Sequence, residues 1–202
     1  MNAVAAASAV LIACLSLGSV SAATLDVTLT GSDGKPLADA VVAVHVKGAK
    51  TTAAAGITAE IAQRSRQFQP QVTVVQTGTA VLFPNFDTVR HHVFSFSPIQ
   101  RFEIKLYAGV PNAPLIFDKP GVATLGCNIH DRMLAFVAVV DTPFFAKSDA
   151  VGKLQIDLPA GKHRLLAWHP SMTESGAWVE QAVTVDASNG KLALKLPAAA
   201  MP

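Results

Sequence analysis

Three side chains with affinity for soft metal ions lie close together in segment 126–133. Cys127, His130 and Met133 follow the spacing C-x2-H-x2-M, so one short loop carries a thiol, an imidazole and a thioether. Two imidazoles and one thiolate with a weak axial Met suit copper in both oxidation states, because soft sulfur favours Cu(I) and imidazole also binds Cu(II). The loop therefore predicts a copper site that needs one further histidine.

Segment 81–96 offers that histidine. Residues 81–85 read Val-Leu-Phe-Pro-Asn, and a short loop then leads to His91 and His92. A V-x-aromatic-x-N strand, a loop, a histidine and a distant C-x2-H closure together resemble the cupredoxin (blue-copper) family, with a closure most similar to that of amicyanin. Segments 91–98 and 125–133 also resemble bacterial proteins usually called methylamine utilization protein. The resemblance implies one type 1 copper in a plastocyanin-like Greek-key β-sandwich.

Two features of the sequence disagree on which histidine is the first ligand. The resemblance places it six positions after Asn85, at His91. Strand alternation favours the other histidine, since His92, Phe94 and Phe96 would share a face that looks like core. We favour His91, which makes the predicted ligand set His91, Cys127, His130 and Met133, with His92 as the alternative first ligand.

Two positions beside the first ligand differ from the family pattern. The family commonly has Asn after its first histidine, where this chain has His92, and a hydrogen bond from His92 to Asn128 would tie the two ligand segments together. Arg90 stands where the family often has Pro, so the rigidity and charge of the loop differ.

The other histidines of the chain are not predicted to bind metal. We interpret His45, His163 and His169 as structural.

Zinc is less suited to the predicted site, because a structural zinc usually takes four strong ligands and Met is a poor one. The polar loop with Ser171, Glu174 and Ser175 shows no base–nucleophile pairing, so we predict no enzyme.

Short alternating or β-branched segments dominate the chain after its first residues. Turn signals such as Thr77-Gly78 and Pro120-Gly121 separate them at spacings typical of sandwiches or barrels. The fold class predicted is all-β. The predicted strands are 24–30, 40–46, 71–75, 80–83, 91–96, 122–127, 133–140, 153–158, 162–168 and 178–185.

The two ends of the chain resemble parts of one module. A strand, a D-G-x-P-L turn and a second strand occupy 25–42, and an S-D-x-x-G turn, a strand and an L-P-x-G hairpin occupy 148–163. Together they resemble a carboxypeptidase regulatory-like (transthyretin-like) sandwich. We therefore predict a discontinuous sandwich of residues 24–63 and 144–198, with the cupredoxin domain at 64–143 inserted into it or fused with it. One enlarged sandwich is the alternative.

The N-terminal residues predict export. Residues 3–20 are mostly apolar, and Val20-Ser21-Ala22 meets the small-residue rule for cleavage, although no Lys or Arg precedes the apolar segment. We predict a signal peptide at 1–22, a periplasmic protein and no transmembrane span in the mature chain. A lipid-anchored Cys14 and an uncleaved anchor are the alternatives. A net charge of +2 does not argue for nucleic acid.

The resemblance implies an electron carrier whose partner is another redox protein, a cytochrome c or a dehydrogenase. The apolar docking patch would lie around His130, with Val110, Pro111, Ala113, Pro114, Leu115 and Met133 as candidates. A periplasmic copper chaperone or store is a second hypothesis, although the Met residues do not cluster. A partner-binding scaffold with a degenerate copper site is a third.

Overall fold

A computed structural model describes residues 22–111, 113–172, 177–186 and 188–199, and within them all regular structure is β. This confirms the all-β prediction. The proposed signal peptide, apart from Ala22, and Cys14 lie outside the described residues, as do Glu174 and Ser175. The strands are β1 (Ala22–Thr30), β2 (Val41–His45), β3 (Thr58–Glu60), β4 (Ala62–Arg64), β5 (Gln67–Gln69), β6 (Val72–Gln76), β7 (Thr79–Leu82), β8 (His91–Ser95), β9 (Phe102–Tyr107), β10 (Leu115–Phe117), β11 (Gly121–Gly126), β12 (Leu134–Val140), β13 (Phe145–Lys147), β14 (Lys153–Pro159), β15 (Gly161–Trp168), β16 (Val179–Val185) and β17 (Gly190–Lys195).

The first hydrophobic core joins strands from the two ends of the chain. A sheet in the order β14-β1-β17 and a second sheet in the order β13-β2-β15-β16 contribute to it. Strand β1 alternates between buried and half-buried positions, as a strand with one face on the core must, and Leu25, Val27 and Leu29 are its buried residues. Early and late parts of the sequence therefore fold together.

The second core lies in the middle of the chain and contains the predicted site. A five-stranded sheet in the order β6-β12-β11-β8-β9 and a three-stranded sheet in the order β10-β7-β3 contribute to it. Val93 of β8, Leu125 of β11 and Val81 of β7 are fully buried in it, and Cys127 and Met133 belong to the same cluster. The site is therefore built on the edge of a packed core.

Strand β12 is shared between the two cores. Val137 and Val139 pack into the second core, whereas Ala138 belongs to the first, and the Phe136 ring lies 5.6 Å from that of Trp168. A strand buried on both faces needs a continuous apolar sequence rather than alternation. The shared strand explains why residues 134–140 are all apolar.

The short strands β3 to β5 are additions to the predicted set. Strand β3 pairs in parallel with β7, and β4 forms a hairpin with β5, so residues 58–69 lie with the middle of the chain. The division of the chain into an outer sandwich and an inserted domain stays a prediction.

Candidate metal centre

The sheet order brings the two ligand segments together. Strand β11 pairs with β12 on one side and, through Gly126 and Phe94, with β8 on the other. Because β8 runs antiparallel to β11, the start of β8 lies beside the end of β11. His91 begins β8 and Cys127 follows β11, so neighbouring strand ends place the imidazole next to the thiol.

The donor atoms of three predicted ligands converge on one point. The Cys127 Sγ atom lies 4.0 Å from His91 Nδ1 and 3.8 Å from His130 Nδ1, and the three donor atoms lie within 4.8 Å of one another. His91 is 0% exposed and Cys127 is 6% exposed, whereas His130 is only partly buried. Two buried candidate ligands thus lie beside a third that is partly exposed.

The spacing of these atoms fits a metal ion. Metal–sulfur and metal–nitrogen bonds of about 2.3 and about 2.0 Å place S and N about 3.7 Å apart in a trigonal plane, and about 3.5 Å apart in a tetrahedron. The observed distances of 3.8 and 4.0 Å are closer to the trigonal value. Two imidazoles and one thiolate in a trigonal set are the donor chemistry of a blue-copper site.

Met133 closes the ligand loop from inside the protein. Its amide donates to the His130 carbonyl oxygen at 2.9 Å, which forms the turn between the two residues. The side chain is 1% exposed and packs in the same core as Cys127. The prediction that Met133 contributes to an exposed docking patch is therefore wrong, because its side chain is buried in the second core.

The neighbouring His92 points to a different part of the protein. Its Nε2 lies 2.9 Å from Glu103 Oε1, and its buried Nδ1 has no hydrogen-bond partner among the described residues. The predicted hydrogen bond to Asn128 is not formed, and the ring bonds through Nε2 to the Glu103 carboxylate on β9. Of the two histidines, the structure brings only His91 to Cys127.

The prediction that His92, Phe94 and Phe96 form a core face is also wrong. Phe96 is 76% exposed, while His91 and Val93 on the opposite face are fully buried. The three aromatic side chains instead stack along the outer face, with ring centroids 5.5 and 5.1 Å apart. Phe94 also covers Gly126, where an added Cβ would lie 2.7 Å from the ring, so contacts on the sheet surface explain these large residues.

Asn85 organises the loop that leads to His91. It is 4% exposed, and its Nδ2 donates to the carbonyl oxygens of Val89 and Tyr107, both at 2.9 Å. Its Oδ1 accepts the Asp87 amide at 2.9 Å, which forms a local turn. One buried amide side chain thus ties the loop to β9 and to its own backbone.

Asp87 is a functional candidate that the sequence analysis missed. Its Oδ2 lies 2.8 Å from His91 Nε2, the ring atom on the far side from Cys127. Burial raises the pKa of Asp87, but hydrogen bonds from the Arg66 amide, the His91 ring and the Ser65 amide, with the charge of His91, outweigh it and lower the pKa. An Asn-x-Asp turn shortly before the histidine is the only signal in the sequence for this contact.

The turn that supports Asp87 is strained. Ser65 and Arg66 have φ angles of 53° and 59°, a left-handed conformation that costs non-glycine residues about 1–2 kcal/mol each. Their amides donate to Asp87 at 2.7 and 2.9 Å. The Arg64 guanidinium lies 3.7 Å from the centre of the Phe86 ring, which fixes the same hairpin to the site loop.

Relief of that strain is expected to stabilise the protein. The double change Ser65→Asn with Arg66→Gly supplies the residues that a two-residue hairpin turn prefers, and it keeps both backbone amides. We expect the free energy of unfolding to rise by about 1–2 kcal/mol, measured by urea denaturation. A lower value in the variant would show that the side chains of Ser65 and Arg66 themselves hold the turn.

Tyr107 closes the other side of the loop. Its hydroxyl donates to the Phe83 carbonyl oxygen at 2.5 Å and accepts a hydrogen bond from Gln63. Burial raises the pKa of Tyr107 to about 12, the Gln63 hydrogen bond lowers it, and the charge of Cys127 raises it. The chain contains one tyrosine, so its ultraviolet titration reports this residue alone.

Tyr107 is expected to make the protein less stable in alkali. Because its pKa in the folded protein is raised above the unfolded value of about 10, its contribution is present below that pH and is lost as the pH rises toward about 12. Urea denaturation between neutral pH and pH about 11 should show a steeper loss of stability in the parent than in Tyr107→Phe. Equal slopes would contradict this assignment.

The remaining predicted structural histidines bond to other parts of the protein. His163 Nε2 lies 2.7 Å from the Pro159 carbonyl oxygen, and His169 Nε2 lies 3.1 Å from that of Ala38. His45 lies 3.1 Å from Asp141. In the described part of the chain, His91, Cys127 and His130 are the group that could hold a metal.

Comparison with known proteins gives matches at the level of structure. No family model and no curated protein matches the chain. Similar solved structures include a purple cupredoxin from Nitrosopumilus maritimus, with 22% identity and a TM-score of 0.37 over 40% of this chain and 98% of that chain. Amicyanin from Paracoccus versutus is 14% identical with a TM-score of 0.35 over 48% of this chain and 96% of that chain.

A third match is to part of a larger protein. The copper-containing nitrite reductase from Thermus scotoductus SA-01 is 24% identical with a TM-score of 0.38 over 47% of this chain and 24% of that chain. All three likenesses concern the fold of part of this chain, and its chemistry rests on its own residues. No helix among the described residues is long and apolar enough to cross a membrane.

Proposed function

We propose that this protein is an electron carrier with one type 1 copper, bound by His91, Cys127 and His130 and by Met133 as a weak axial ligand. The observation that carries the proposal is the convergence of one sulfur and two nitrogen donors to within 4.8 Å of one another. A bound copper would supply the one-electron couple. The role of the polypeptide would be to hold the donor atoms in place.

The burial of the site supports electron transfer rather than substrate chemistry. His91 and Met133 are at most 1% exposed and Cys127 is 6% exposed, so the ligands are enclosed by packed side chains. A packed core resists rearrangement, and a ligand set that changes little between oxidation states favours fast electron transfer. We therefore propose a carrier and not an enzyme.

The surface around His130 supports a protein partner. His130 is the partly exposed ligand, and its loop neighbour Ile129 is 49% exposed. Leu134, which follows Met133, is 43% exposed, and Val110 of the predicted patch is 62% exposed. Exposed apolar side chains beside a redox ligand suit a transient contact, and we propose a cytochrome c or a dehydrogenase as the partner.

The location and domain structure are part of the same proposal. An apolar N-terminal segment with a small-residue cleavage site favours export to the periplasm. A lone cysteine in such an oxidising compartment is protected when a metal holds it, and Cys127 is buried with no disulfide partner among the described residues. The blue-copper domain would then be an insertion in an outer β-sandwich.

A copper titration tests the proposal. Cu(II) added to the mature protein should produce an intense blue absorption that saturates at one equivalent and bleaches on reduction. Colourless copper that exchanges readily would favour a chaperone or store instead. If the protein binds no copper, only a scaffold role remains, and the proposal is contradicted.

A further inference from the structure

We infer that Asp87 is a positioning residue for the metal ligand His91, and that its carboxylate lowers the reduction potential of the bound copper. The inference rests on the proposed function. Its starting point is the distance of 2.8 Å between Asp87 Oδ2 and His91 Nε2, while His91 Nδ1 faces Cys127. One ring nitrogen thus faces the donor cluster and the other is held by a carboxylate.

The hydrogen bond sets both the tautomer and the direction of the ring. If His91 Nε2 carries the ring proton and donates a hydrogen bond to Asp87, the Nδ1 atom keeps a free lone pair on the side of Cys127. Carboxylate partners of metal-binding histidines fix the ring and raise its basicity, and their loss typically costs 10–100-fold in metal affinity. Asp87 is therefore placed to increase electron donation from the His91 imidazole to a bound metal ion.

The carboxylate is itself held in place by the protein. Its two oxygens accept the Ser65 and Arg66 amides at 2.7 and 2.9 Å, and its own amide donates to Asn85. The side chain is only 16% exposed, and the ring it contacts is fully buried. A carboxylate fixed at this position cannot swing away to water, so its charge acts on the site permanently.

The direction of the effect on the potential follows from charge. Cu(II) carries twice the charge of Cu(I), so a fixed negative group stabilises the oxidised state more than the reduced state. Removal of the charge should therefore weaken Cu(II) binding more than Cu(I) binding and raise the potential. For a one-electron couple, each tenfold difference between the two affinities corresponds to about 59 mV.

Asp87→Asn tests the inference, with a background chosen to protect the fold. The carboxylate also supports the strained turn at Ser65 and Arg66, so the change is made in the protein that already carries Ser65→Asn and Arg66→Gly. Glu103→Gln in the same background is the matched control, because Glu103 contacts His92 at 2.9 Å in the same way but His92 is not a proposed ligand.

The readouts are the Cu(II) affinity and the reduction potential of the copper-loaded proteins. We expect Asp87→Asn to lose about 10–100-fold in Cu(II) affinity and to have a raised potential, with both values unchanged in Glu103→Gln. An unchanged potential in Asp87→Asn, an equal shift in both variants, or loss of folding in the stabilised background would each overturn the inference. Absence of the blue band from the parent protein would instead overturn the proposed function.

Discussion

Replacement of Cys127 by serine is expected to abolish the blue absorption and the tight binding of copper. A hydroxyl is a hard donor that stays protonated at neutral pH, so it replaces neither the charge nor the softness of a thiolate. The change is small in volume at a site that is 6% exposed, and the protein should still fold. The visible spectrum after addition of Cu(II) measures the loss directly.

Met133→Leu is the matched control for this experiment. It changes the other buried sulfur of the loop and nearly conserves volume, which usually costs less than about 1.5 kcal/mol in a core. Because a weak axial ligand tunes the site without creating its strong thiolate bond, the blue band should persist with a shifted potential. A Cys127→Ser variant as blue as Met133→Leu would show that the thiol is not the ligand.

The second large effect is expected from a comparison of the two adjacent histidines. His91→Gln removes a donor that lies 4.0 Å from the thiol, whereas His92→Gln changes a ring held by Glu103 on the other face of the strand. Loss of a direct ligand should exceed the 10–100-fold that loss of a ligand's hydrogen-bond partner typically costs. We therefore expect His91→Gln to lose tight Cu(II) binding and His92→Gln to keep it, measured by competition with a chelator.

The reverse outcome would assign the site differently. If His92→Gln lost the copper and His91→Gln kept it, strand β8 would have to expose its opposite face to the metal. The buried packing of Val93 would then change as well. Near-ultraviolet circular dichroism of both variants without metal shows whether either change disturbs the aromatic packing of the second core.

Much of the all-β architecture follows from local patterns in the sequence. Strand β1 alternates clearly, and the continuous apolar segment of β12 indicates a strand buried on both sides. Seven of the described strands were not predicted: β3, β4, β5, β9, β10, β13 and β17. Five of them are only three residues long, which is too short for alternation to show, whereas the alternation of β9 and β17 is visible in the sequence and was overlooked. Their pairing, such as that of β3 with β7, depends on distant partners that a local pattern does not contain.

The metal centre shows the same division between local and tertiary information. Cys127, His130 and Met133 lie in one loop, so their spacing alone predicts the chemistry. Strand alternation alone would have favoured His92 over His91, since it treats as core the aromatic residues that stack on the sheet surface. Asp87 could not be identified from spacing, because its role depends on the hairpin amides that hold it.

The most direct test is a crystal structure of the copper-loaded protein with anomalous diffraction at the copper edge. We predict a single anomalous peak bonded to Cys127 Sγ, His91 Nδ1 and His130 Nδ1, with the Met133 sulfur at a longer distance. A peak bonded to the imidazole of His92, or a copper ion bound away from Cys127, would contradict this prediction.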